Sequence, residues 1–330
     1  MLARPFALVL AAVFACAGEP SHSPPPPAPA SELSDSPSPP LPATERRSAP
    51  NATTSPPRHA SEDPRPADSA QADAVAQVLA ADPAQSTSLG SGVEGSLQGG
   101  LALPAHGPGF RHNPRKHPDR RYGTVELVQA LVRAAAAVDR RSPGGEVTIN
   151  DIAAAQGGDI PGHATHRSGR DVDVLFYLLD AEGHPRPGHA VPLEPDGTGV
   201  DYRDLATAED DIPVRIDVAR TWQFVEALLA DTGAPIQRIY IVEHLRTMLL
   251  EHAQDHRAPA WIVSRFAEVT CQPRFPHDDH LHIRFFCSPQ DITAGCLDDR
   301  PIYPWHRQAL NKAGVRAQIA GPRTSPRPRL

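Results

Sequence analysis

Between Ala15 and Gly109 the chain has no phenylalanine, tryptophan or tyrosine. This confines any sizeable hydrophobic core to the residues beyond that stretch. The segment from about Ala17 to Pro66 is built of Pro, Ser, Ala and charged residues, and such a segment cannot bury enough apolar surface to offset its ordering entropy. It reads as a disordered or polyproline-like tether over 17–87. Ordered structure is expected from the glycine-rich "SLGSGVEGSLQGG" onward, as one domain over 88–313. A basic, Pro-rich tail over 314–330 is expected to fray.

The first residues, "MLARPFALVLAAVFAC", place Arg4 before an apolar run that stops at Cys16. Over 1–16 this is the pattern of a secretory signal, too short to span a bilayer. Cys16 follows a small residue with Val13 three positions earlier, as in a lipoprotein cleavage box, although Phe14 fits that box poorly. A lipid anchor through Cys16 stands here against simple cleavage nearby. Either way the chain is expected to leave the cytoplasm, where Cys271, Cys287 and Cys296 favour disulfides over metal ligation. Cys287 and Cys296 flank "SPQDITAG", whose Pro and Gly let the chain fold back, so they are the first choice of pair. That leaves Cys271 odd, with a Cys271–Cys287 pair as the alternative.

A net charge of −7 makes no electrostatic case for nucleic acid. The local exception is "RHNPRKHPDRR" at 111–121, which reads as a solvated loop or as a contact for an anionic polymer.

Apolar residues at helical spacing predict helices over 124–138, 218–231 and "HLRTMLLEHAQ". Alternation or apolar runs predict strands over 146–153, 171–179, 236–242 and 279–286, with a long irregular insertion from about Asp180 to Asp217. Helices and strands mix without a regular beta-alpha-beta beat. The expected class is therefore α+β, with a mostly antiparallel central sheet flanked by helices.

Chemistry is carried by two of these strands. Successive side chains of a strand point to opposite faces, so His280 and His282 share one face while Leu281 and Ile283 share the other. In "GHATHRSGRDVDVLF" the same rule puts Asp171 and Asp173 together, with Val172 and Val174 behind them. A buried ionised carboxylate costs several kcal/mol unless it is paired or coordinated, so two on one face demand partners. His166 precedes this strand through a turn in which Gly169 is free to take positive φ. His166, Asp173 and a histidine of the second strand then form a two-histidine, one-carboxylate set with a corner left for water, as a catalytic zinc needs at about 2.0 to 2.2 Å. The alternatives are a plain Asp173–His166 ion pair, and a closed structural zinc with His280 in the last corner.

"GHATHRSGRDVDV" and "HDDHLHIR", with "GSLQGGLALP" and "DRRYG" upstream in the same order, resemble the signature segments of the penicillin-insensitive murein endopeptidases. That family lies within the group that includes lysostaphin-type and D-Ala-D-Ala metallopeptidases and the hedgehog signalling domain. The resemblance covers most of 88–300 and implies a hedgehog or D-Ala-D-Ala-peptidase-like fold with one Zn²⁺ held by His166, Asp173 and His282. It also implies His280 as a catalytic histidine, with His277 and His163 lining the site. The 180–217 insertion and the small number of cysteines depart from the family pattern.

Zinc acidifies water and polarises a carbonyl, and a neighbouring group must carry the proton. His280 suits that role, with an ordinary pKa of about 6.5. Asp279 is the rival base, but on a straight strand it faces away, as a solvated group or a partner for Arg284 or His277. Asp171 is read as orienting a ligand imidazole. His163 either stabilises the developing oxyanion or packs beside His166. Trp222 is read as core. The resulting expectation is a zinc peptidase that cuts D-alanyl cross-link peptides of peptidoglycan from the periplasm or the outer membrane. A D-Ala-D-Ala carboxypeptidase or dipeptidase, and a non-catalytic zinc-stabilised wall-binding module, are the alternatives.

Overall fold

A computed structural model describes residues 66–204 and 206–321. The signal, Cys16 and most of the expected tether lie outside them. Among the described residues there are seven α-helices and a seven-stranded mixed sheet, mostly antiparallel. Its order is Thr270–Cys271, Ile236–Tyr240, His280–Phe285, Asp171–Leu175, Val147–Ile149, Phe110–His112 and His106–Gly107. The α+β class holds. The His280–Phe285 and Asp171–Leu175 strands are antiparallel neighbours at the sheet centre, with His282 opposite Asp173, Arg284 opposite Asp171 and His280 opposite Leu175.

The two strands use their faces differently, as alternation requires. Val172, Val174, Leu281 and Ile283 belong to one apolar cluster with Val128 and Leu131 of helix Val125–Arg141 and with Phe224 and Val225 of helix Val218–Ala230. That cluster backs the sheet, so the polar residues between these positions stand on the other face. Trp222 is in the same core. Among the described residues no helix is long and apolar enough to cross a membrane.

Several boundaries differ from the sequence reading. Ordered structure starts before residue 88, with helix Pro66–Ala80 docked through Val75 and Val78. The Gln129 amide closes its C-terminal end by donating to the carbonyls of Val78 (3.0 Å) and Ala81 (2.8 Å). A helix of mostly Ala and Gln needs few large side chains to dock, which is why a segment poor in aromatics reads as tether. The C-terminal boundary also moves beyond 313: Asp298 N–H donates to Gln318 O (2.8 Å), and Ala320 N–H to Asp298 O (2.9 Å).

The apolar run 171–179 is two strands in two sheets, Asp171–Leu175 and Leu178–Leu179. The run is almost wholly buried, so apolarity alone does not mark the break. The region expected to be an irregular insertion is organised as a four-stranded antiparallel sheet, ordered Pro185–Arg186, Leu178–Leu179, Ile212–Ile216, Thr198–Asp201. Some of its Pro and Gly residues lie at turns, but Pro185, Gly199 and Pro213 are within the short strands themselves. Helices Ala260–Val269, Pro289–Ala294 and Pro304–Lys312 had no matching expectation.

Cys287 and Cys296 are disulfide-bonded, the first-choice pair. Cys271, expected to be left over or to pair with Cys287, is not a free thiol.

Candidate metal centre

Four histidine side chains meet at Asp173. One carboxylate oxygen, Oδ1, lies 3.3 Å from His166 Nε2, 3.2 Å from His282 Nδ1 and 3.6 Å from His280 Nε2. The other, Oδ2, lies 3.5 Å from His163 Nδ1. Single ligand atoms of His163, His166 and Asp173 all lie within 4.8 Å of one another.

The loop that carries the histidines folds back for local reasons. Gly169 has φ +72° and sits against Leu97, where a Cβ would meet the Leu97 methyls at 2.8 and 2.9 Å. His166 itself has φ +69°, a left-handed conformation that costs a non-glycine residue about 1 to 2 kcal/mol. Its ring is fully buried, and Nδ1–H donates to the Ile152 carbonyl at 2.7 Å. A carbonyl only accepts, so this bond fixes the proton on Nδ1.

Burial lowers the His166 pKa, and Asp173 only partly offsets it, so the neutral ring turns a bare Nε2 lone pair toward a carboxylate oxygen. Neither His166 Nε2 nor Asp173 Oδ1 has a hydrogen-bond partner. Two buried acceptors facing each other at this distance repel unless a positive charge lies between them. The donor set therefore fits a small cation, and imidazole with carboxylate suits zinc.

His282 is anchored in the same manner. Its Nε2–H donates to Asp171 Oδ1 (2.9 Å), which leaves Nδ1 for Asp173. Burial pushes the Asp171 carboxyl up, but Arg284 and His282 outweigh it and hold the group well below the usual carboxylate range. Arg284 Nε donates to that same Oδ1 at 2.7 Å, and its Nη1 to Asp299 Oδ2 at 2.6 Å. The glycine-rich loop closes over this pair: a Cβ on Gly92 would meet Asp171 Oδ2 and Arg284 Nη2 at 3.0 Å. Burial lowers the His282 pKa, yet Asp171 and Asp173 together raise it to about 9. The two carboxylates thus draw positive charge to this corner of the site, whether carried by the ring or by a cation.

The remaining histidines border this cluster. His280 Nδ1–H donates to Asp279 Oδ1, so Nε2 faces Asp173. Asp279 precedes the strand rather than lying on it. It therefore turns to His280, not to solvent, Arg284 or His277 as alternation had suggested. Burial lowers the His280 pKa, while Asp173 and Asp279 reverse the effect and raise it. His277 lies tilted against His280 and edge-on to His282, with ring centroids 4.8 and 5.7 Å away, and burial beside those charged rings lowers its pKa to about 3. His277 is neutral at physiological pH.

His163 is held by a group the sequence reading missed. Its Nε2–H donates to Asp151 Oδ2 (2.8 Å), which also receives Lys116 Nζ (3.0 Å). Asp151 follows the strand Val147–Ile149, between Asn150 and Ile152. Nothing in its own stretch of sequence marks it as a site residue. Tyr240 was also missed; its ring lies edge-on to His282, centroids 5.2 Å apart. A second grouping, Asp180, Glu182 and His184, is a turn cap, since Asp180 Oδ1 already accepts from the backbone N–H groups of Glu182 (3.1 Å) and His184 (2.8 Å).

An α+β domain that gathers histidines around a buried carboxylate at the centre of its sheet, one oxygen of which has no hydrogen-bond partner, offers a candidate metal site. Residues 88–306 match the family model of the penicillin-insensitive murein endopeptidases, and the chain belongs to that family. It is 26% identical over 247 residues to the penicillin-insensitive murein endopeptidase of Haemophilus influenzae, an alignment that spans 70% of this chain and 77% of the relative. It is likewise 26% identical over 218 residues to the protein of that name from Klebsiella pneumoniae, spanning 66% and 72%. Family membership makes the chain a peptidase.

Proposed function

We propose that this protein is a zinc-dependent murein endopeptidase that hydrolyses D-alanyl cross-link peptide bonds of peptidoglycan. What carries the reading is the pair of orphaned acceptors, His166 Nε2 and Asp173 Oδ1, buried 3.3 Å apart in a chain of this family. His166, Asp173 and His282 are the residues that would hold one Zn²⁺. Bound there, zinc supplies Lewis acidity toward the scissile carbonyl and lowers the pKa of water toward about 7.

The chain's own groups do the rest. The Ile152 carbonyl and the Asp171 carboxylate fix the tautomers of His166 and His282, so each keeps one nitrogen for the ion. His280, fixed through Nδ1 by Asp279, presents Nε2 as the group that accepts a proton from water and returns it to the leaving amine. Neutral His277 and Asp151-bound His163 line the site. The protein works outside the cytoplasm, exported by its N-terminal signal to the periplasm or held at the outer membrane through Cys16.

The test is digestion of purified cross-linked muropeptide dimers, with and without a chelator. Chelator-sensitive conversion of dimers to monomers supports the proposal. Release of free D-alanine from intact dimers would instead identify a carboxypeptidase, and no release at all a non-catalytic wall-binding module.

A further inference from the structure

We propose that Lys116 and Arg120 form a cationic subsite beside the metal centre that takes a carboxylate of the cross-link peptide, an inference that rests on the endopeptidase reading above. Three donors surround one oxygen: Asp151 Oδ2 lies 2.8 Å from His163 Nε2, 3.0 Å from Lys116 Nζ and 3.6 Å from Arg120 Nη1. Asp151 is fully buried, whereas the Lys116 and Arg120 side chains are 32% and 25% exposed. Two permanent cations thus face one fixed anion. One positive charge is left over, and it lies on the solvent side.

The position of that charge is set by His163. The ring that donates to Asp151 through Nε2 comes within 3.5 Å of Asp173 Oδ2 through Nδ1. The surplus therefore sits one imidazole away from the carboxylate at the heart of the candidate metal centre. Two other arginines of the 111–121 segment are engaged elsewhere: Arg111 Nε donates to Thr148 Oγ1, and Arg121 Nη1 to the Leu103 carbonyl. Arg120 Nη1 also reaches the Pro161 carbonyl at 3.5 Å, at the start of the loop that carries His163. Lys116 and Arg120 are thereby directed to the rim of the site.

A cross-link to a diamino acid can carry a free carboxylate close to the scissile amide. A lysine and an arginine with incomplete charge compensation suit such a group, Arg as a two-pronged donor and Lys as a point charge. The consequence is selectivity for an anionic leaving group, in a chain whose overall charge is negative.

The test uses the zinc-loaded full chain and muropeptide dimers whose diamino-acid carboxylate is either free or amidated. The wild type is expected to show about a tenfold higher kcat/KM on the free-acid dimer, expressed in KM, the scale of one charge-assisted hydrogen bond. Lys116→Gln should bring the ratio between the two substrates near one, Arg120→Gln should reduce it, and Lys116→Arg should restore most of it. Equal wild-type rates on both dimers would overturn the subsite. So would a Lys116→Gln variant that slows both dimers by the same factor, since Lys116 would then only steady Asp151 and His163. Cleavage of neither dimer by the wild type would sink the endopeptidase reading itself, and the subsite with it.

Discussion

His282 donates through Nε2 to Asp171 Oδ1 at 2.9 Å, and this bond decides which of its nitrogens faces Asp173. Asp171→Asn keeps the shape but removes the charge that favours this tautomer and balances Arg284. Zinc affinity is expected to fall about 10- to 100-fold, measured by competition with a chromophoric chelator. Unchanged affinity would remove Asp171 from the metal-holding role.

Proton and cation compete for His282. With its pKa raised to about 9 in the metal-free site, His282 is protonated at pH 7, so zinc uptake at that pH should release about one proton from this ring. Calorimetry in buffers of different ionisation enthalpy reads that number. Because the folded value lies above the ordinary 6.5, the charged form stabilises the metal-free fold below about pH 6.5. That contribution is lost as pH rises toward 9. The urea midpoint of the chelated protein should carry this decline, and the zinc-loaded protein should lack it.

His280→Ala should lower kcat by about 10²- to 10⁴-fold with zinc retained, as loss of a proton carrier requires. Asp279→Asn acts more gently. Its carboxylate favours protonated His280, so its neutralisation should move the pH limb assigned to His280 to lower pH. An unmoved limb in the pH–rate profile would show that another group titrates there.

Gly169→Ala should destabilise the domain by about 2 to 5 kcal/mol, the sum of a left-handed conformation and an overpacked contact with Leu97. Chemical denaturation of the zinc-free protein measures this apart from the metal.

Much of the site was legible because strand alternation is a strict rule. It places Asp171 with Asp173 and His280 with His282 before any coordinate is known, and the observed register only adds that His282 stands opposite Asp173. Asp279 shows where that rule stops. The strand begins at His280, so the acid just before it obeys loop geometry and bonds to His280. Asp151 was invisible for another reason, since its partners Lys116 and His163 come from segments on either side of it in sequence and meet only in the fold.

Local sequence alone determined the α+β class, three of the helices, the faces of the two central strands and the family, and made Cys287–Cys296 the first choice of disulfide. All of these depend on periodicity, spacing or motif, which act over short stretches of chain. The tertiary structure decided what depends on distant contact: the docking of helix Pro66–Ala80 and of residues 318–320, the sheet within the 180–217 region, and the partners that fix each imidazole. A histidine's free nitrogen is chosen by whatever accepts from the other one. For His166 that acceptor is the carbonyl of Ile152, fourteen residues away, and for His282 it is a carboxylate on the neighbouring strand, so only the folded chain could make the choice.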